Sequence, residues 1–265
     1  HTEYSLLDGA SRIKPLAKRL KELGFTHAAV TDHGVMYGAI DFYNACLEEG
    51  ITPIIGCEVY ICPDRFEKHG AAREYSHMIL LCENQTGYHN LVKLVSAGFT
   101  EGFYYKPRID YNLLRQHTEG LICLSACLSG DLPKLLLQGR TEDAKKYALE
   151  MQALFGKGNY FVEIMDHGLP EERMVLPRLK ALARETGIPL VATNDCHYLY
   201  REDAAAPGGA HVHPDGQDAP GRDAHADGNR GTLCQERGRN ALALCRLPPG
   251  RASGGRNRRA LPGDV

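Results

Sequence analysis

The chain has 265 residues and a formal net charge of −2 at pH 7, with histidine counted as neutral. This length suits one large domain or two small ones. The charge excludes a protein that binds nucleic acid through a globally basic surface, so any such contact has to be local. Since no run of about 18 apolar residues occurs, a membrane-spanning helix is not expected.

The cysteines indicate a reducing compartment. There are nine, an odd number, and they are scattered singly with no C-x-x-C pair in a zinc-ribbon arrangement. This usage argues against a disulfide framework and predicts a cytoplasmic protein. The chain opens at His1 without a signal peptide or an initiator methionine, so we expect a fragment of a longer protein.

Helices and strands alternate up to about Tyr200. Apolar spacing predicts helices over residues 12–23, 37–49, 88–97, 130–138, 141–155 and 170–186. Short apolar runs predict strands over residues 26–31, 52–60, 78–82, 120–125, 160–165 and 188–193. This alternation indicates an α/β fold with a largely parallel sheet, either open or closed into a barrel.

Residues 207–265 differ sharply in composition from the rest. They contain no Lys, Ile, Phe, Tyr, Trp or Met and are rich in Gly, Pro, Ala, Asp and Arg. Such a segment buries too little apolar surface to offset its ordering entropy. We therefore expect a disordered C-terminal tail.

Potential metal ligands stand at the ends of the predicted strands. They are imidazoles, carboxylates and a thiol, supplied by His1, Asp8, His33, Glu58, His77, Cys127, Asp195 and His197. A lone histidine beside a strand is usually structural, but several strand ends with such side chains favour a site for Zn, Mn or Fe. In barrels the chemistry lies at the C-terminal ends of the strands. Glu58 is the natural bridging carboxylate, and Asp195 and His197 point the same way.

Six motifs carry a family resemblance. In chain order they are HTEYSLLDGA, TDHGVMYGAIDFYNAC, PIIGCEVY, EGFYYKPRID, SACLSG and NDCHYL. They closely resemble the PHP (polymerase and histidinol phosphatase) domain of bacterial DNA polymerase III alpha subunits. The resemblance covers residues 1–206, and it implies that the domain's first strand lies before residue 1.

The resemblance implies a distorted (β/α)7 barrel with up to three divalent ions at one mouth. Asp8, His33 and His197 would hold one ion. Glu58, His77 and Cys127 would hold a second, and His1, Glu58 and Asp195 a third that also uses a histidine before residue 1. Asp195, Glu58 and His33 would be catalytic in metal-assisted hydrolysis of a phosphoester.

The motif YYKPR suggests contacts to DNA. Lys106 and Arg108 could bind phosphates, and Tyr105 could stack on a base. For Lys106 and Arg108 a solvated basic turn is an alternative of equal weight, and for Tyr105 core packing is favoured over stacking. Residues 166–168 are expected to form a loop before a helix, and the role of Glu163 is left open.

Three functions remain for the parent protein. The first is a metal-dependent 3′-5′ exonuclease that proofreads primer ends for an attached polymerase, with the other polymerase III subunits as partners. The second is a PHP scaffold without turnover, and the third is a stand-alone phosphatase of the histidinol-phosphate type. The polymerase-type motifs disfavour the third, and the retained ligands disfavour the second.

The tail has the composition of an out-of-frame translation. The polymerase family continues the motif at residues 201–206 with REVLMCIQTGKT, and GC-rich codons for that segment, shifted by one base, encode PGGAHVHP, which is residues 207–214. We therefore predict a frameshift near Ala206, genuine or from sequencing. His211 and His213 would then form an accidental H-x-H pair and not a metal site.

Overall fold

A computed structural model describes residues 1–6, 8–70, 74–200 and 203 of the chain. These residues form seven helices: α1 (Ile13–Glu22), α2 (Ala39–Glu48), α3 (Gln85–Thr100), α4 (Tyr111–Leu114), α5 (Asp131–Leu137), α6 (Thr141–Phe155) and α7 (Pro170–Thr186). They also form eight strands: β1 (His27–Val30), β2 (Thr52–Cys62), β3 (Ser76–Cys82), β4 (Phe103–Tyr104), β5 (Lys106–Asp110), β6 (Leu121–Leu124), β7 (Tyr160–Ile164) and β8 (Leu190–Ala192). The predicted tail and frameshift, residues 207–265, lie outside the described part of the chain.

The strands form one curled sheet in the order β4-β5-β2-β3-β6-β7-β8, and β1 pairs with the first half of β2. Its outer face packs under α3, α5, α6 and α7, while apolar residues of β3, β6, β7 and β8 meet on the concave inner face. A third apolar cluster joins α1, α2 and β1. The predicted α/β fold with a barrel-like sheet is confirmed.

The period of two along β2 separates its two faces. Cys57, Val59 and Ile61 are buried in the outer core under the helices. Glu58 and Tyr60 therefore point to the concave side, where the polar cluster lies. One long strand thus contributes to both the hydrophobic core and the candidate site.

The prediction of a largely parallel sheet needs one correction. β3 is antiparallel to both of its neighbours, β2 and β6, and β4 is antiparallel to β5, while the remaining pairs are parallel. Since β3 runs in the reverse direction, its beginning lies at the rim where the parallel strands end. Because of this reversal, His77, the second residue of β3, lies at the rim formed by the C-terminal ends of the parallel strands. The β4-β5 hairpin and α4 were not predicted, because they are short and carry little periodicity.

A seam separates the two outer strands of the curled sheet. No backbone hydrogen bond joins β1 to β8 among the described residues. A cavity of about 190 Å³ lies along the seam, lined by both strands, by α1 and by the inner apolar residues. One end of the cavity lies beside the amino group of His1, which donates to the carbonyl of Cys196 at 2.9 Å. We propose that this seam can receive one more extended segment, which would pair with the edges of β1 and β8.

Extension of the chain at His1 by about six β-branched residues is expected to stabilise the fold. Such a segment can pair with the edges of β1 and β8 and fill the apolar cavity. The expected result is a rise in Tm of several degrees, measured by circular dichroism. A Gly-Ser extension of equal length is the control, and an equal Tm for both extensions would contradict the proposal.

No helix among the described residues is long and apolar enough to cross a membrane. The seven cysteines in this part of the chain are all free thiols.

Candidate metal centre

The mouth of the curled sheet collects the side chains predicted to bind metal. The structure brings all eight into one cluster: His1, Asp8, His33, Glu58, His77, Cys127, Asp195 and His197. Three groups have candidate ligand atoms within 4.8 Å of one another: His1, His33 and His197; Glu58, His77 and Cys127; and His1, Glu58 and Asp195. The last two groups are the predicted ones, and the first has His1 in the place predicted for Asp8.

Glu58 lies at the centre of the cluster and is 2% exposed. Its Oε1 is 2.6 Å from Nδ1 of His33 and 2.9 Å from Nδ1 of His77, and its Oε2 is 4.0 Å from Nε2 of His1. Burial alone raises the pKa of Glu58, but the imidazoles of His77 and His33 outweigh it and hold the pKa well below its usual range. The two oxygens of this ionised carboxylate therefore face different histidines of the cluster.

Three imidazoles pack on one another beside Glu58. The ring centroids of His1 and His33 are 3.9 Å apart, and those of His1 and His197 are 4.3 Å apart. Although burial lowers the pKa of His33, hydrogen bonds to Asp8 and Glu58 raise it to about 10. The ring of His33 is therefore protonated in the metal-free protein, and a divalent ion would compete with that proton.

The donor atoms of the cluster fit divalent metal ions. They are nitrogen, oxygen and sulfur, the ligands of Zn and related transition metals. Oδ1 of Asp8 is buried and has no hydrogen-bond partner among the described residues, while Oδ2 lies 3.1 Å from Nε2 of His33. Sγ of Cys127 is 3.8 Å from Nδ1 of His77, and burial raises the pKa of its thiol.

Asp32 anchors the loop that opens the chain and is itself no part of the three groups. Its carboxylate, 2% exposed, accepts from the backbone and hydroxyl of Thr2 at 2.5 and 2.8 Å and from the hydroxyl of Ser5 at 2.8 Å. The Ser5 oxygen in turn accepts from the backbone of His33 at 3.1 Å and lies 2.9 Å from Nδ1 of His1. Asp32 thereby fixes two candidate ligands that are far apart in sequence.

The family match agrees with this geometry. Residues 1–167 match the PHP domain family, which is well over half of the chain. The chain belongs to the PHP domain family. Nearly all of the candidate ligands fall inside the matched range, and Asp195 and His197 follow it.

Curated relatives of this PHP domain are DNA polymerase III alpha subunits. The chain is 54% identical to that of Treponema pallidum over 209 residues, 49% identical to that of Deinococcus radiodurans over 216 residues, and 45% identical to that of Thermus aquaticus over 212 residues. Each alignment covers 78% of the chain but only 16–18% of the relative. The PHP domain is thus homologous to the N-terminal region of these subunits and spans less than a fifth of their length.

Two solved structures share a distant likeness. One is a candidate metal-dependent phosphoesterase from Bifidobacterium adolescentis, with a TM-score of 0.46 at 13% identity over 72% of this chain and 84% of that one. The other is an amidohydrolase from Chromobacterium violaceum, with a TM-score of 0.44 at 14% identity over the same shares. These values are too low to bear on function.

Arg108 has a different role from the predicted contact with DNA. It is fully buried in the PHP domain. Its Nε donates to the carbonyl of Gly102 at 3.1 Å, and its Nη2 donates to those of Glu67 and Arg65 at 2.8 and 3.4 Å. The guanidinium ties the β4-β5 hairpin to the loop after β2 and does not face solvent. The prediction for Arg108 is therefore corrected to a structural role.

Lys106 and Tyr105 are the other two residues for which contacts with DNA were predicted. Nζ of Lys106 is 5.4 Å from the ring centroid of Tyr60, whose ring meets that of His77 edge-on at 5.3 Å. Tyr105 is 60% exposed at the tip of the hairpin and contacts the ring of Tyr104. A role for Lys106 and Tyr105 in DNA binding stays a prediction.

Glu163 is a buried carboxyl group beside the cluster whose role the sequence left open. Its Oε1 accepts from the hydroxyl of Thr193 at 2.6 Å, and its buried Oε2 has no partner among the described residues. Burial raises the pKa of Glu163 to about 8 against the effect of the Thr193 hydrogen bond, and the carboxylates of Asp195 and Glu58 raise it further. In the metal-free protein Glu163 is therefore protonated near neutral pH.

A Glu163→Gln variant is expected to stabilise the metal-free protein at alkaline pH. The pKa of the folded state, about 8, exceeds the ordinary value of 4.5, so the folded protein binds the proton more tightly than the unfolded chain. The stability that Glu163 contributes is fully present below about pH 4.5 and is lost as the pH rises through 8. Glutamine removes this loss and keeps an oxygen for Thr193.

Thermal melting of chelator-treated protein measures the effect. Glu163→Gln is expected to match the wild type near pH 5 and to exceed its Tm by several degrees at pH 9. Glu150→Gln, an exposed position on α6, is the control and should show no such difference. An equal Tm for Glu163→Gln and wild type at both pH values would contradict the pKa of Glu163.

Proposed function

We propose that this PHP domain is a metal-dependent phosphoesterase that removes nucleotides from the 3′ end of a DNA primer. The observation that carries the proposal is the convergence of imidazole, carboxylate and thiol side chains on the buried carboxylate of Glu58. A structural metal site needs about four ligands and is closed. This cluster has twice that number and a rim that is partly open, which suits catalysis by several ions.

The proposed ligand sets follow the three groups. Asp8, His33 and His197 would hold one ion with His1 close by, Glu58, His77 and Cys127 a second, and His1, Glu58 and Asp195 a third. When bound, such ions acidify a coordinated water and neutralise the phosphate and the leaving oxygen. We infer up to three ions, and the mixed donor set is compatible with Zn, Mn or Fe.

Asp195, Glu58 and His33 are the residues to which we assign catalysis. Asp195 is placed for it because Oδ1 lies 3.0 Å from Nε2 of His1, and its side chain is 24% exposed. It therefore stands at the open side of the cluster, where a phosphoester would arrive. Glu58 and His33 lie deeper, with Oε1 of Glu58 2.6 Å from Nδ1 of His33, and both are also proposed metal ligands.

Lys106 is the proposed phosphate contact. Its ammonium group lies over Tyr60, and the ring of Tyr60 borders both His33 and His77. A DNA phosphate that reaches the cluster would pass this lysine, which serves as a point charge for phosphate. Tyr105, exposed on the same hairpin, is the proposed stacking partner for a base.

The whole protein's activity is inferred from the polymerase relatives. We propose that the domain belongs to a cytoplasmic replicative DNA polymerase III alpha subunit, with primer-template DNA and the other polymerase subunits as partners. The second candidate function is a PHP scaffold that stabilises the polymerase without turnover.

Asp195→Asn is expected to abolish hydrolysis. Removing one anionic oxygen from the open side of the cluster should lower the rate of primer degradation by at least about 100-fold. The assay follows a labelled single-stranded primer in Mn²⁺ or Zn²⁺, after metal analysis of the purified protein. Lys106→Ala is expected to raise KM with little change in kcat, because it removes only a binding contact.

Two surface variants serve as matched controls. Asp143→Asn and Lys146→Ala change the same residue types on the exposed face of α6 and should leave the assay unchanged. Equal activity of Asp195→Asn and the wild type would contradict the site. A protein that binds no metal and degrades no primer would support the scaffold function.

A further inference from the structure

A buried ion pair lies beside the cluster without belonging to any of the three groups. Nδ1 of His167 is 2.6 Å from Oε1 of Glu172, and both side chains are less than a tenth exposed. The opposite ring nitrogen, Nε2, is 2.8 Å from the carbonyl oxygen of Asn194. The pair therefore joins the start of α7 to the backbone position just before Asp195.

The chemistry of its partners fixes the charge on His167. A carboxylate oxygen and a carbonyl oxygen can only accept hydrogen bonds, so both ring nitrogens have to donate. The ring is therefore an imidazolium that forms an ion pair with the carboxylate of Glu172. Although burial lowers the pKa of His167, the hydrogen bonds to Glu172 and to the backbone of Asn194 raise it, which agrees with the geometry.

The backbone that His167 holds is unusual. Asp195 has a φ of 47°, a left-handed conformation that residues other than glycine seldom adopt. Such a conformation persists only where surrounding contacts hold it. The preceding residues are fixed on two sides, since the hydroxyl of Thr193 donates to Glu163 and the carbonyl of Asn194 accepts from His167.

Capping of α7 does not account for the imidazole ring. Oε2 of Glu172 already accepts from the backbone amides of His167 and of the N-cap residue Leu169, and so closes the start of the helix. The cap uses the backbone of His167, not its ring. The ring instead reaches a residue 27 positions further along the chain, next to a candidate metal ligand.

We propose that His167, held by Glu172, is a positioning residue that orients the loop carrying Asp195 and His197 for metal binding. This inference rests on the proposed metal centre and adds a partner outside the ligand set. Partners of this kind orient ligands, and their loss costs about 10- to 100-fold in metal affinity. His167 touches neither the metal nor the substrate in this arrangement.

His167→Phe tests the proposal, because it keeps a ring and removes both donors. Chelator-treated protein is titrated with Zn²⁺ against a chromophoric chelator, so the measurement is affinity and not activity. Binding that depends on Asp195 is expected to weaken about 10- to 100-fold. A parallel Co²⁺ titration reports the Cys127 position through its cobalt-thiolate absorption, and that position is expected to keep its wild-type affinity.

Val175→Ala is the matched control for general loosening. Val175 is buried in the outer core on the same helix, three residues after Glu172, and its truncation destabilises the fold while leaving both residues of the ion pair unchanged. It should leave the affinity at both positions unchanged. If Val175→Ala and His167→Phe weaken both positions alike, the ion pair is only a stabilising element and the proposal is overturned.

A milder variant covers the case in which His167→Phe does not fold. His167→Gln keeps one donor toward Asn194 and is expected to lose less affinity, still at the Asp195 position alone. Wild-type affinity at that position in His167→Gln, with no folded His167→Phe, would also overturn the proposal. Metal binding without primer degradation in the wild type would reject the proposed function and leave the role of His167 standing.

Discussion

The ionised carboxylate of Glu58 is the constraint on which the rest of the structure depends. A buried charge of this kind is costly unless opposite charges and hydrogen bonds compensate it. Here His33 and His77 do so at the same oxygen, Oε1, from 2.6 and 2.9 Å away. The backbone of Glu58 in β2 also forms hydrogen bonds with the backbone of Asp32 and of Gly34. The loop that carries His33 is therefore attached directly to the strand that carries the charge. The polar cluster and the sheet are therefore held together by the same hydrogen bonds.

Much of this arrangement could be predicted. A period of two places alternate residues of a strand on one face of the sheet, and the ends of parallel strands lie at one rim. The alternation of apolar runs located all the long elements, and the strand-end donors identified the eight side chains that meet. The direction of β3 could not be predicted, since periodicity carries no information on strand direction. Its reversal nevertheless explains why His77, at the beginning of a strand, joins residues at the ends of others.

Burial and long-range pairing were the features that sequence could not supply. Arg108 sits in a motif that looks basic and exposed, yet three carbonyl groups of neighbouring loops draw its guanidinium inside. The pairing of His167 with Asn194 depends on how α7 packs against β7, which no local pattern encodes. Glu163 belongs with them, since only the folded structure shows that its second oxygen lies buried among other carboxylates.

The two ends of the described chain meet at the cluster, where the amino group of His1 bonds to the carbonyl of Cys196. Candidate ligands at positions 1 and 197 therefore come together only when a loop that spans almost the whole described part of the chain has closed. Contacts of such high sequence separation form late, because their closure entropy must be met by contacts already made. During synthesis the site consequently stays unassembled until residues 195–197, which follow β8, have left the ribosome, and no shorter nascent chain carries the complete set of ligands.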